Sequence, residues 1–316
     1  MFWTEELYNM AYEKVKDKKW PVIIMSYNRP VQVAMKIFDT MNDEANYEVI
    51  LFVRDSQKQM YEDKVTNKFV RVVSVPDEQI NSAGKAREGS FRWLYNNGYE
   101  YAFAFDDDIP KLVFNTRNTT KNGTLISSPP KDYKLNAARI LAMWQLSMEV
   151  ANKNHDVVFS GIRNYSSSWQ LDNTDENSSI RLCTSFPSQV FCWNVKRCVE
   201  DYNLVYGDGP DVGFDDADGF MQLIDRGAKF CLFPFLAYDS ASEQISVKNF
   251  KEFNSPQERT KKQSEKIVEN WGEKDFYKVA VNKYGHSVIK FNFRQIRKNH
   301  GLKDYKFNVM EECKNV

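Results

Sequence analysis

Residues 100–108, Glu100-Tyr101-Ala102-Phe103-Ala104-Phe105-Asp106-Asp107-Asp108, decide how this chain is read. Six of them form a short, largely apolar run of strand length, and the run stops on three adjacent carboxylates. In a parallel sheet the carboxyl ends of strands are where binding and chemistry collect. Three neighbouring carboxylates repel one another unless a cation offsets them, so the pattern points to a divalent metal ion. Alternation along an extended segment sends Asp106 and Asp108 to one side and Asp107 to the other. Oxygen ligands with no His or Cys beside them favour Mg²⁺ or Mn²⁺ over zinc. The plain alternative is an acidic surface turn, which the apolar run directly ahead of it disfavours.

Upstream, strands and helices alternate. Residues 21–26 (PVIIMS) are nearly continuously apolar, as expected of a strand covered on both faces. They end in Tyr27-Asn28-Arg29-Pro30, a turn that opens a helix to about residue 41. A strand at 48–54 (EVILFVR), a polar helix at 56–65 and a strand at 69–75 (FVRVVSV) follow. The helix predicted over 82–97 closes on Asn97-Gly98. This succession predicts an α/β fold with a Rossmann-like mixed, mostly parallel sheet flanked by helices. No G-x-G-x-x-G follows the first strand, which disfavours the usual dinucleotide site.

Downstream, residues 116–134 read as a loop insertion and 135–152 as an amphipathic helix. Strands are expected at 157–161 and 189–195, with a polar stretch over 165–179 between them. A Gly/Asp loop at 207–213 leads into a helix over 215–226, and residues 229–234 (KFCLFP) are the last clear strand. That helix opens on Asp215-Asp216-Ala217-Asp218. One Asp there is explained by N-capping and the helix dipole. Three in four residues exceed what capping needs, and that excess points to catalysis or binding.

Across 316 residues, 43 Lys and Arg balance 43 Asp and Glu, and 42 % of residues are hydrophobic. Intrinsic disorder and low-complexity classes are excluded on those grounds. The apolar runs are about five residues long, far short of the roughly 20 that span a bilayer. Five cysteines without a CxxC pair read as reduced thiols, not as a disulfide framework or a zinc site. With no signal-peptide pattern at the N-terminus, the expected location is cytoplasmic. The charge is uneven: residues 1–242 carry six more acidic than basic side chains, and 243–316 six more basic than acidic. The expected division is a catalytic domain at 1–242 and a helical, basic C-terminal region at 243–316. That basic region suits a polyanionic partner, or is simply a solvated Lys-rich surface.

The ordered blocks VIIMSYNRP, EVILFVRDS, AGKAREGSFRWLYNNGYEYAFAFDDD and DVGFDDADGFMQLIDRGAKF resemble the GT-A fold glycosyltransferases, in particular the inverting family-2-like branch. The likeness covers about residues 20–235. It implies an enzyme that moves a hexose or pentose from a nucleotide-sugar donor, a UDP-sugar in the expected case, using Mn²⁺ or Mg²⁺. It further implies that Ser26, Tyr27 and Arg29 line the nucleotide pocket and that Asp55 binds the base. Lys85 and Arg87 approach the nucleotide or its diphosphate, and Asp106 and Asp107 belong to the donor site. Asp106 and Asp108 hold the metal, with Asp239 the nearest candidate for a further ligand, because no His follows KFCLFP. Asp216, with Asp215 second, is the implied general base. His155, His286 and His300 are expected to be structural or surface residues, and Trp169 and Trp193 to be core residues in preference to stacking on a sugar or base.

The block AGKARE…FAFDDDIP is similar to phage glycosyltransferases that modify hydroxymethylated pyrimidines in DNA. That likeness implies a DNA acceptor and, for a phage-encoded chain, the host cytoplasm. Lys and Arg in the C-terminal region would then neutralise phosphates, and a buried base would have to be flipped. The rival readings are a transferase for surface polysaccharide or protein, and a catalytically silent binding module. A nucleotidyltransferase shares a related sheet but opens with a Gly-rich loop, which residues 26–30 lack.

Overall fold

The computed structural model describes residues 5–29, 47–109, 111–114, 118–119, 125–126, 137–164, 179–187, 189–206, 215–239, 255–303 and 305–316. Its first elements are α1 (Glu5–Val15), β1 (Val22–Met25), β2 (Val49–Arg54), α2 (Lys58–Glu62), β3 (Val70–Val75), α3 (Ala83–Asn96) and β4 (Tyr101–Asp106). Then come β5 (Lys111–Phe114), the two-residue strands β6 (Asn118–Thr119) and β7 (Leu125–Ile126), α4 (Ala137–His155), β8 (Val157–Asn164), β9 (Ser179–Arg181) and β10 (Val190–Asn194). The remainder is α5 (Val195–Glu200), α6 (Asp215–Asp225), β11 (Lys229–Asp239), α7 (Pro256–Trp271), β12 (Tyr277–Val281), β13 (Ser287–Phe291), α8 (Phe293–Asn299), β14 (Lys306–Asn308) and α9 (Val309–Lys314). The helix expected to about residue 41, the polar stretch with Trp169 and the loop at 207–213 lie outside the described residues.

Eight strands form one sheet in the order β3-β2-β1-β4-β10-β8-β11-β5. The four N-terminal strands are parallel, as the two-sided apolar runs of β1, β2 and β4 foretell, with β3 a half-buried edge strand. β10 then runs antiparallel to both β4 and β8, which makes the sheet mixed. β11 is longer than the expected strand. It follows β8, shifts register between Leu232 and Ala237, and pairs with β5 through Asp239 opposite Lys111.

Sequence periodicity suggests that the helix before β8 is half-buried, yet α4 is buried on nearly every face. The sheet covers one side, while α1 and α9 pack on it from outside. Trp144 fixes it by donating to Ser160 of β8 at 2.9 Å. Trp193 is a fully buried core residue against Phe91, Phe191 and Tyr206. All five cysteines are buried and free.

The region after Ser255 holds the expected helices and also a β12–β13 hairpin and a strand, β14, paired with β9. Its pattern reads as helical because α7 is long and charged, whereas the hairpin strands are short and half-exposed. It rests on the body through α9 against α4 and through Trp271, which donates to Asp218 at 2.7 Å. Among the described residues, no helix is long and apolar enough to cross a membrane.

Candidate active site

The carboxyl ends of β1 and β4, which are paired neighbours, build the first wall of the site. After β1 the chain turns at Asn28 in the left-handed region (φ 51°), a conformation Asn tolerates better than most residues. The turn brings Ser26 and Arg29 to the aspartate triplet. Asp107 accepts from Ser26 Oγ at 2.7 Å through one oxygen and from Arg29 Nη1 at 2.7 Å through the other. Arg29 also lies 3.8 Å from Asp108. Tyr61 of α2 closes the group: its hydroxyl is 2.7 Å from Ser26 Oγ and accepts from the Arg29 backbone N–H at 3.2 Å. Burial pushes the Asp107 carboxyl up, and Arg29 and Ser26 pull it back.

Tyr27 is exposed (42 %), with the Arg54 guanidinium 4.0 Å from its ring centroid, so a flat cationic and aromatic surface flanks the pocket. Asp55 is exposed in the turn after β2. Ser56, next to it, donates twice to Asp77, which ties this rim to the segment before α3.

Arg87 of α3 is the centre of the second wall. Ser82 caps α3 by accepting from the Lys85 N–H, which sets the helix start and places Arg87 in the second turn. Arg87 is buried, and its Nε donates to Asp215 at 2.6 Å while Nη2 lies 3.5 Å from Asp106. The rings of Phe191 and Tyr206 lie 5.0 Å and 5.9 Å from the guanidinium carbon. Burial opposes its charge, but Asp215 and Asp106 more than offset that and hold the guanidinium firmly ionised. Gly219 of α6 lets that helix approach Tyr206 so closely that a Cβ there would sit 2.5 Å from the ring. Any larger residue at 219 would push Asp215 and Asp216 away from Arg87.

The carboxylates around Arg87 are strongly perturbed. Burial raises Asp106 to about 7, with Arg87 opposing and Asp108, Asp216 and Asp215 adding to the rise. Burial and then Asp215 raise Asp216 to about 6. It accepts from the N–H of Ala217 at 2.8 Å. Perturbed carboxylates gathered at sheet ends are a signature of a working site.

Two buried polar atoms here have no hydrogen-bond partner among the described residues: Arg87 Nη1 and Asp108 Oδ1. A cation and an anion left unsatisfied on either side of Asp106 match a ligand that carries both signs, such as a phosphate with its metal. Among the described residues no three His, Cys, Asp or Glu side chains converge into a closed metal cage. That is compatible with Mg²⁺ or Mn²⁺, which take one or two carboxylates and complete their shell with phosphate and water. Asp108 and Asp106 are the residues that fit such a cation. The backbone of Asp239 is placed opposite Lys111, three residues past Asp108, and its side chain lies outside the described residues.

The structure thus brings together Ser26, Arg29, Arg87, Asp106, Asp107, Asp108, Asp215 and Asp216. Lys85 is two residues from Arg87, a spacing that puts the two on different helix faces, and makes no ion pair among the described residues. Asp218 has a structural role, accepting from Trp271 and from Gln222 at 2.9 Å. Sequence reading missed Tyr61, Arg54 and Tyr206, because an aromatic or Arg in an ordinary strand or helix carries no local sign of its distant partner. His155 and His300 are structural, the first bound to Glu312 and Tyr305 and the second to the Ile224 carbonyl.

A family model described as TET-Associated Glycosyltransferase matches residues 20–248. Comparison with curated proteins finds no match. Among solved structures, a mycobacterial protein is 10 % identical, with 93 % of this chain and 92 % of that one covered at a TM-score of 0.45. Mannosyl-3-phosphoglycerate synthase from Rubrobacter xylanophilus is 10 % identical, with 92 % and 88 % covered at a TM-score of 0.41. A CMP:2-keto-3-deoxy-manno-octonic acid synthetase complexed with CTP is 8 % identical, with 68 % and 89 % covered at 0.39.

Proposed function

The chain belongs to the TET-associated glycosyltransferase family, and from that premise we propose that it moves a sugar from a nucleotide-sugar donor to an acceptor hydroxyl with inversion at the anomeric carbon. The favoured acceptor is a 5-hydroxymethylpyrimidine in DNA. The observation that carries the reading is Arg87, locked by Asp215 and Asp106 and with its buried Nη1 left without a partner among the described residues.

In this reading Ser26, Tyr27 and Arg29 receive the nucleotide, with Arg29 held in place by Asp107 and Tyr61. Arg87 donates from Nη1 to the diphosphate and stabilises the negative charge that grows as the bond from the anomeric carbon to phosphate oxygen breaks. When bound at Asp108 and Asp106, a divalent cation supplies positive charge against the same leaving group. Asp216 takes the proton of the acceptor hydroxyl as the new carbon–oxygen bond forms on the opposite face. A carboxyl raised to about 6 suits that task, since a base works best with a pKa near the working pH. The basic C-terminal region accords with DNA as the acceptor.

The deciding experiment is a Mn²⁺-supplemented transfer assay with a panel of sugar nucleotides against hydroxymethylcytosine, hydroxymethyluracil and unmodified DNA. A mass gain of one sugar on a hydroxymethylated base alone supports the reading, and Asp108→Ala should abolish it. Donor hydrolysis without a DNA product would move the acceptor to a glycan or a protein.

A further inference from the structure

The basic C-terminal region is not uniformly basic in its free charge. The lysines of α7 are already neutralised: Lys261 reaches Glu265 at 3.8 Å, Lys262 reaches Glu258 at 3.2 Å and Lys266 reaches Glu269 at 2.9 Å. Residues 276–303, by contrast, hold Lys278, Lys283, Lys290, Arg294, Arg297, Lys298 and Lys303 and not one Asp or Glu. Among the described residues none of these seven makes an ion pair, and all but Arg297 are exposed.

Their placement raises the local positive potential. Lys278 and Lys290 are directly opposite in the β12–β13 register, an arrangement that like charges disfavour. Arg294 and Lys298 sit four apart on α8, the helical equivalent of the same conflict. Two uncompensated like-charge pairs, one on the hairpin and one on α8, make sense where a polyanion supplies the missing charge.

The hairpin also carries an aromatic at its tip. Tyr284 is 66 % exposed, with Lys283 Nζ 4.9 Å from its ring centroid. The tip is a built structure: Asn282 Oδ1 accepts from the N–H groups of Tyr284 and His286, and Gly285 turns the chain at φ 80°. α7 braces it through Gln257, which donates to the Tyr284 carbonyl, and Thr260, which accepts from the Ser287 N–H. At the hairpin's other end, Phe291 packs on Phe220 of α6 with centroids 5.0 Å apart, on the helix that opens with Asp215 and Asp216. Five strand residues separate that root from the tip, about 17 Å at strand rise.

We propose that the β12–β13 hairpin and α8 form the surface that grips duplex DNA, with Lys278, Lys290, Arg294 and Lys298 on phosphates and Tyr284 stacking on a base. The inference rests on the DNA-acceptor reading and says which part of the tail performs it. Lysines on phosphates provide sequence-independent affinity that falls with salt, and an exposed aromatic beside a cation is the chemistry that holds an unstacked base. Because the same hairpin packs on α6, DNA held there is anchored to the element that carries the proposed base.

The test is fluorescence anisotropy of the full chain on an unmodified duplex over a salt series. Lys278→Glu with Lys290→Glu should weaken binding at least about tenfold and flatten the log–log salt slope by about two, one for each phosphate that is no longer neutralised. On the same duplex carrying one mismatched base, Tyr284→Ala should weaken binding with the slope unchanged. Lys261→Glu with Lys262→Glu, on the neutralised helix, should change little, and all three variants should keep wild-type donor binding as a control for folding. Hairpin variants that bind as strongly and as salt-dependently as the wild type would overturn this inference and leave the DNA-acceptor reading standing. A wild-type chain that does not bind DNA at all would overturn both.

Discussion

Asp106 offers the sharpest quantitative test, because its environment works against stability in the unliganded protein. In the unfolded chain its carboxyl loses its proton near 3.8, whereas in the folded protein it holds the proton to about 7. Between those values the folded state binds the extra proton, so stability falls as pH rises through that window and levels off above it. By linkage a displacement of that size is worth roughly 4 kcal/mol once the group is ionised. The side chain is 28 % exposed, so solvent screening reduces the figure, and about 2 kcal/mol is the expected net cost. Asp106→Asn removes the titration while keeping the shape. In chelator-treated protein at pH 8 it should therefore raise the melting temperature by about 4 °C, taking roughly 2 °C per kcal/mol for a chain of this size. At pH 4, where the window has barely begun and the folded carboxyl is still protonated, the two proteins should melt within about 1 °C of each other. Thermal melts of wild type and variant from pH 4 to 8.5 read this directly, the difference including the mutual repulsion of Asp106 and Asp216. A variant that melts below wild type at pH 8, or a difference that does not change with pH, would refute the reasoning. The same substitution should cost most of the transfer activity.

Asp216→Asn should lower the turnover number for transfer by about 10²–10⁴-fold with donor affinity unchanged, as followed by steady-state kinetics and donor titration. In the wild type, turnover should fall about tenfold per pH unit below about 6, because the base is protonated there; a profile flat to pH 4.5 would remove Asp216 from that role. Arg87→Leu strands Asp215 without its partner and should destabilise the fold by about 3–5 kcal/mol, measurable by urea unfolding, and Arg87→Leu with Asp215→Leu should recover much of that loss. Tyr61→Phe removes the hydroxyl that holds Ser26 and the Arg29 backbone, worth about 1 kcal/mol. The donor KM should rise about fivefold with little change in turnover number, and an equal fall in turnover number would assign Tyr61 a different part.

Most of the sheet and half of the site are legible along the chain. The runs PVIIMS and EVILFVR become β1 and β2 because side chains buried on both faces of a sheet leave a local apolar record, and FVRVVSV becomes the half-buried edge strand β3 through its β-branched valines. The aspartates at 106–108 and 215–216 stand out for a similar reason, since charge packed that densely at the end of a strand or the start of a helix conflicts with its surroundings. Ser82 and Gly98 mark the ends of α3 through capping chemistry that acts over three or four residues.

What only the tertiary structure decided is which of these charges answer one another. Arg87 meets Asp215 across 128 residues and Ser26 meets Asp107 across 81, and no local pattern encodes either pairing. The third aspartate of the second cluster, Asp218, is indistinguishable in sequence from its neighbours, yet it faces Trp271 and holds the C-terminal region in place. The tail shows the same division. Its net charge is written in composition, but which lysines are spent on neighbouring carboxylates and which remain free depends on helix spacing and strand register. Sequence specifies elements through interactions a few residues long. A site is assembled by packing elements that are far apart in the chain, so its partners are known only once the fold has brought them together.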